Sequence, residues 1–110
     1  MQLPNAERAE VPPEKLRSYL LSGSHPVGRF KARFFRAFGY TSENWEAFAE
    51  VLQSIARSGD AEEVRSPHGR KFRIPAELSG PDGVRARILT IWILSSEESP
   101  PRFVTAYPEE

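Results

Sequence analysis

Lys71-Phe72-Arg73-Ile74-Pro75-Ala76-Glu77-Leu78 places an apolar side chain at every second position. That period is the mark of a strand with one face toward a core. Pro75 has no N–H to give to a ladder, so the strand must have a free edge or a bulge at that point. Turn-forming residues flank it, Ser66-Pro67-His68-Gly69 before and Gly80-Pro81-Asp82-Gly83 after. From Val84 to Leu94 the chain is again β-rich. Leu89 to Leu94 is apolar on both faces apart from Thr90, which reads as a central strand covered on both sides. Ser95 to Pro101 is a polar loop. Arg102 to Tyr107 is a closing strand, with Phe103, Thr105 and Tyr107 on one face and Val104 and Ala106 on the other.

Upstream of this region the period is helical. Ala9 to Val11 reads as a short strand or extended lead-in. Pro12, Pro13 and Glu14 suit a helix start, Leu16, Tyr19 and Leu20 form its apolar face, and Gly23 stops it. A second helix runs from about Pro26 to Phe38, ended by Gly39. A third begins at a Thr41 or Ser42 cap. Trp45, Phe48, Leu52 and Ile55 form its core stripe, while Glu43, Glu46 and Glu50 face water. Helices followed by antiparallel strands predict an α+β fold: about three N-terminal helices on a sheet of about four strands. The 110 residues predict a single domain, 1–110.

Composition narrows the chemistry. Without cysteine there is neither a disulfide framework nor a thiolate metal site, which fits a reducing, cytoplasmic setting. No apolar run reaches membrane-spanning length, and the first residues lack the layout of a signal peptide. Two distant histidines without an acid cluster predict no metal site, and no cofactor motif occurs. The 15 cations and 15 acids balance, but they are segregated. Between His25 and Arg36 every charge is basic, whereas from Glu43 to Glu63 six acids face only Arg57. Basic segments that meet in the fold would make a local patch for an anionic ligand.

The second helix carries the sharpest anomaly. Val27, Phe30, Phe34 and Phe38 form an apolar stripe expected to face the core, and Lys31 falls inside it. Either the lysine stem crosses apolar surface to reach water, or the ammonium is held in a cleft for a purpose. Cleavage of RNA by its own 2′-hydroxyl requires a base, a proton donor for the leaving 5′-oxygen, and cations around the phosphorane. His25, with an ordinary pKa near neutrality, suits proton transfer. Lys31 and Arg29 suit a phosphate, as do the N–H groups of the helix start, where Gly28 permits close approach. Thr105 and Tyr107 can donate to phosphate or stack a base. Arg85 and Arg87 join them if the helices leave their sheet face open. His68 reads as a loop residue.

The segment His25-Pro26-x-Gly28-Arg29-x-Lys31-Ala32-x-x-Phe35, with Leu3-Pro4-Asn5-Ala6-Glu7 before it, resembles a small uncharacterised bacterial domain family. Its members occur as short proteins and as C-terminal modules of toxin polyproteins. Phe103-Val104-Thr105-Ala106-Tyr107-Pro108 resembles the closing strand of the barnase–EndoU–colicin–RelE nuclease toxins. What this resemblance implies is a metal-independent ribonuclease toxin acting on tRNA or mRNA, with a small antitoxin or immunity protein as partner. His25, Lys31, Thr105 and Tyr107 carry over as its catalytic positions, and Arg29 as a phosphate ligand. Zero net charge departs from the basic character of such toxins and favours a narrow substrate over nonspecific RNA binding. Two other readings use the same residues. One is a noncatalytic module that binds nucleic acid or protein through the basic helix. The other is an immunity or accessory protein with Glu43, Glu46 and Glu50 as its contact face.

Overall fold

The computed structural model describes residues 1–26, 28–67, 69–80 and 83–109. The expectations for Val27, His68 and the Pro81-Asp82 turn lie outside them. Three helical segments precede a four-stranded antiparallel sheet, the expected α+β order. They are α1 (Pro13–Lys15, continued by a π-type turn over Leu16–Leu20), α2 (Gly28–Arg36) and α3 (Trp45–Ser58). The strands are β1 (Glu62–Val64), β2 (Arg70–Ser79), β3 (Arg85–Leu94) and β4 (Arg102–Pro108), paired in chain order.

In α3, Phe48 and Leu52 are buried and Trp45 and Ile55 half-buried, while Glu46 and Glu50, with Glu43 in the turn before the helix, lie in water, as the spacing predicts. The Thr41 N–H donates to Asn44 Oδ1 at 2.7 Å, holding the turn that leads into the helix. The second helix departs from expectation. Gly28, Ala32 and Phe35 form its buried line, while Phe30 is 62% exposed and Phe34 only half-buried. The cause is close packing. A methyl group on Gly28 would lie 2.0 Å from the Tyr19 carbonyl oxygen, so only the glycine face of α2 fits against the π-type turn. That contact turns Phe30 out to water and leaves Phe34 at the edge of the core, while Phe38, just past the end of α2, is buried as expected. Lys31 is left on the flank of the buried line, about 60° around the helix from Gly28.

The β2 reading holds in register, with Phe72, Ile74 and Leu78 buried. β1 pairs with it only as far as Glu62↔Arg73, so Pro75 faces an open edge on that side. β1 itself falls in an acidic run whose Glu62 and Glu63 pair with Arg73 and Arg70. The lead-in forms no strand; Glu10 makes a single parallel bridge with Arg102. β3 is central, as expected, but helices cover one face only. Trp92, Ile88 and Leu94 enter the core; on the other face Ile91 is buried, whereas Leu89 and Ile93 are half-exposed.

β4 departs from strict alternation. Its register shifts by one residue, pairing Trp92 with Phe103 but Ile91 with Thr105. Val104 is the extra residue of a β-bulge, a device that re-aims the side chains after it. Phe103 and Ala106 therefore both enter the core, and Thr105 with Tyr107 leave it. The expected grouping of Phe103 with Thr105 and Tyr107 is corrected by that bulge.

Thr90 is the one buried polar side chain among the described residues. Its hydroxyl donates to the Ile74 carbonyl at 2.9 Å and accepts the Trp92 indole N–H at 2.9 Å. Thr90→Val removes the acceptor and leaves that N–H buried without a partner. Urea unfolding should show a loss of about 1–3 kcal/mol. An unchanged midpoint would mean that the bond is not formed.

Candidate functional site

Lys31 bridges two layers of the fold. Its ammonium reaches from α2 toward β4, donating to the Tyr19 hydroxyl at 2.8 Å and to Thr105 Oγ1 at 3.1 Å. The Tyr19 and Tyr107 ring centroids lie 5.3 and 5.7 Å from Nζ. Rings at that distance attract a cation. Among the described residues no carboxylate lies within ion-pair distance of this ammonium. A half-buried cation held by hydroxyls and ring faces, with no counter-ion, is suited to an incoming anion. Of the ammonium's three donors, two are used.

His25 sits where the chain turns into α2. Its Nδ1 accepts the Gly28 N–H at 2.9 Å, and its ring meets the Tyr19 ring edge-on at 5.0 Å. An accepting Nδ1 assigns the neutral ring's proton to Nε2. The Gly28 N–H is engaged by that bond, and its close approach in the fold is to the Tyr19 carbonyl oxygen.

Lys15, Tyr19, His25, Val104 and Thr105 line an open cleft of about 390 Å³. The structure thus brings His25, Lys31, Thr105 and Tyr107 around one region. It adds Tyr19 and Lys15, which sequence reasoning missed. Tyr19 shares the spacing of Leu16 and Leu20 and reads as core, but the π-type turn directs its hydroxyl to Lys31. The available signal was the Lys15–Tyr19 spacing, one helical turn apart. A wider hollow of about 660 Å³ lies between Glu63 and Arg70, where both Glu63 and Glu97 already hold the Arg70 guanidinium.

Burial by itself raises the Tyr19 phenol pKa. Its hydrogen bonds with Lys31 and Thr105, and the charges of Lys31 and Lys15, outweigh burial and hold it below the ordinary value. A depressed folded-state value stabilises the fold fully above the ordinary phenol range, near about 10. That contribution disappears as pH falls through the folded value. In an alkaline absorbance titration, Tyr19 should ionise below the ordinary phenol value. Lys31→Ala should move that step up, and Tyr19→Phe should remove it. An early step that survives Tyr19→Phe would place the ionisation elsewhere.

The family model for DUF6883, a domain of unknown function, matches residues 2–110. The chain belongs to the DUF6883 family. Among curated proteins, no sequence matches it significantly. Among solved structures, a chain of the contact-dependent growth inhibition toxin–immunity protein complex from Klebsiella pneumoniae 342 superposes with a TM-score of 0.69. The two are 17% identical over 90% of this chain and 98% of that one. At that identity the likeness is one of fold.

Three predicted ligands in this DUF6883 chain stand apart from the cleft. Arg29 is exposed, with its guanidinium 4.9 Å from the Phe30 ring centroid. Arg85 pairs with Glu77 at 3.5 Å, and Arg87 with Glu109 at 2.7 Å. Arg87 does share the Tyr107 face of the sheet, but Glu109 neutralises it. Among the described residues, no three His, Cys, Asp or Glu side chains gather to hold a metal, and no helix is long and apolar enough to cross a membrane.

Proposed function

We propose that this chain is a toxin-type ribonuclease that cleaves RNA by 2′-hydroxyl attack without a metal. The observation that carries the reading is the Lys31 ammonium, held by Tyr19 and Thr105 beside Tyr107 at a cleft lined by His25. The fold it shares with a chain of a toxin–immunity complex supports a toxin- or immunity-type role. One domain, residues 1–110, carries the whole site in this reading. Its substrate is a cytoplasmic tRNA or mRNA, and its partner is a small neutralising protein.

The residues divide the work by chemistry. O2′ attacks phosphorus and the P–O5′ bond breaks, giving a 2′,3′-cyclic phosphate and a 5′-hydroxyl. Lys31, with Lys15 at the cleft wall, stabilises the charge that builds on the phosphorane. The Thr105 and Tyr107 hydroxyls donate to its oxygens. Tyr19, held below the ordinary phenol range, takes the 2′-hydroxyl proton. The His25 Nε2–H donates a hydrogen bond to the developing 5′-oxide, which takes its proton from water in the open cleft.

Purified protein incubated with total bacterial RNA should yield fragments that end in cyclic phosphate, and His25→Ala should suppress them. Intact RNA with folded wild-type protein would exclude the reading. A second reading draws on the exposed Glu46 and Glu50 of α3, with Glu43 in the turn before it, as the contact face of an immunity protein. It predicts no cleavage, and protection of cells from a cognate toxin that is lost on charge reversal of those three residues.

A further inference from the structure

Phe30 is 62% exposed in the first turn of α2, where a large aromatic side chain has no packing role. It is surrounded by cations. Arg29 lies over its ring at 4.9 Å, and Arg33 and Arg36 are exposed beyond it. Positions 29, 33 and 36 share one helical row, and 30 and 33 are neighbours one turn apart. The row spans about 10 Å of helix axis.

These arginines differ from those of the sheet. Arg70, Arg73, Arg85, Arg87 and Arg102 each pair with a carboxylate. Among the described residues no acid comes within ion-pair distance of Arg29, Arg33 or Arg36. Glu43 feels the charge of Arg36 only from further away. The molecule is neutral in sum, yet the helix that carries Lys31 presents uncompensated positive charge interleaved with an aromatic ring. Cations that track a phosphate backbone, beside a ring on which a base stacks, are the two parts of a single-strand-binding surface.

We propose that the solvent face of α2, formed by Arg29, Phe30, Arg33 and Arg36, binds the single-stranded RNA flanking the phosphate engaged at Lys31. This rests on the ribonuclease reading and deepens it. The face supplies affinity for the strand, and the cleft supplies the chemistry. It also reconciles RNA binding with zero net charge, because charge is concentrated where the strand passes.

The test is binding of fluorescein-labelled oligo(U) across a salt series, followed by anisotropy. The Arg33→Gln/Arg36→Gln variant removes two phosphate contacts and should flatten the slope of log K against log salt by about 1.4. Phe30→Ser should weaken binding by about tenfold with the slope unchanged, as expected for a lost stack. All three side chains are exposed, and unchanged circular dichroism confirms folding. Wild-type affinity and slope in both variants would overturn the proposal and assign the face to an acidic protein partner. RNA cleavage, measured separately, distinguishes the two claims. Cleavage with unaltered binding in the variants sinks the surface alone; binding through α2 without any cleavage sinks the nuclease reading alone.

Discussion

Lys31→Ala should lower the rate of RNA cleavage by about 10²–10³-fold, the loss that follows removal of one preorganised donor to a developing anion. The fold should survive. Lys31 is half-buried, and the two hydroxyls it serves, on Tyr19 and Thr105, lie at the open cleft, where water can replace the ammonium. Neither hydroxyl becomes a buried orphan, so the stability change should stay below about 1 kcal/mol. Lys31→Met keeps the aliphatic stem and should be as inactive as the alanine variant. Lys31→Arg keeps the charge and should recover part of the rate. Wild-type activity in Lys31→Met would reduce the residue to a packing role. Equal loss in the arginine and methionine variants would show that shape rather than charge is at issue.

Gly28→Ala should unfold the protein more easily and silence it together. The added methyl group would lie 2.0 Å from the Tyr19 carbonyl oxygen, 2.7 Å from its carbon and 3.1 Å from the Tyr19 ring. The first two are backbone atoms and cannot swing aside, so α2 must withdraw from the π-type turn. Overpacking of this kind costs about 1–3 kcal/mol, read as a lower urea midpoint. Withdrawal also separates Lys31 from Tyr19 and strains the His25–Gly28 bond, so cleavage should fall further than stability alone accounts for. Gly23→Ala is the control. Its methyl group meets only the tip of the Arg36 side chain, at 3.3 Å, and both readouts should stay near wild type. A wild-type midpoint in Gly28→Ala would mean that the helices are not packed so closely.

The architecture was legible because it rests on local periods. Alternation in Phe72–Leu78 and the stripe of Phe48 and Leu52 each fix a face within a few residues. Pro75 announced a free edge or a bulge, because it has no N–H for a ladder, and the short β1 leaves it the free edge. The short β1 was not legible. Glu62-Glu63-Val64 becomes a strand by pairing with Arg73, Phe72 and Lys71 of β2, where Arg73 and Arg70 hold its two carboxylates.

For the site, sequence supplied residue types and the tertiary structure supplied their meeting. Lys31 stood out as a cation within apolar spacing, and His25, Thr105 and Tyr107 had the right chemistry. Whether they approach one another depends on two irregularities that no period encodes. The bulge at Val104 removes Thr105 from the core side of β4, and the π-type turn carries Tyr19 from an apparent core position to the lysine. The rotation of α2 that exposes Phe30 has the same origin, since it follows from the distance between Gly28 and a carbonyl nine residues earlier. Hydrophobic pattern states which residues avoid water; only packing of backbone against backbone decides how far each helix can turn, and so which groups face each other.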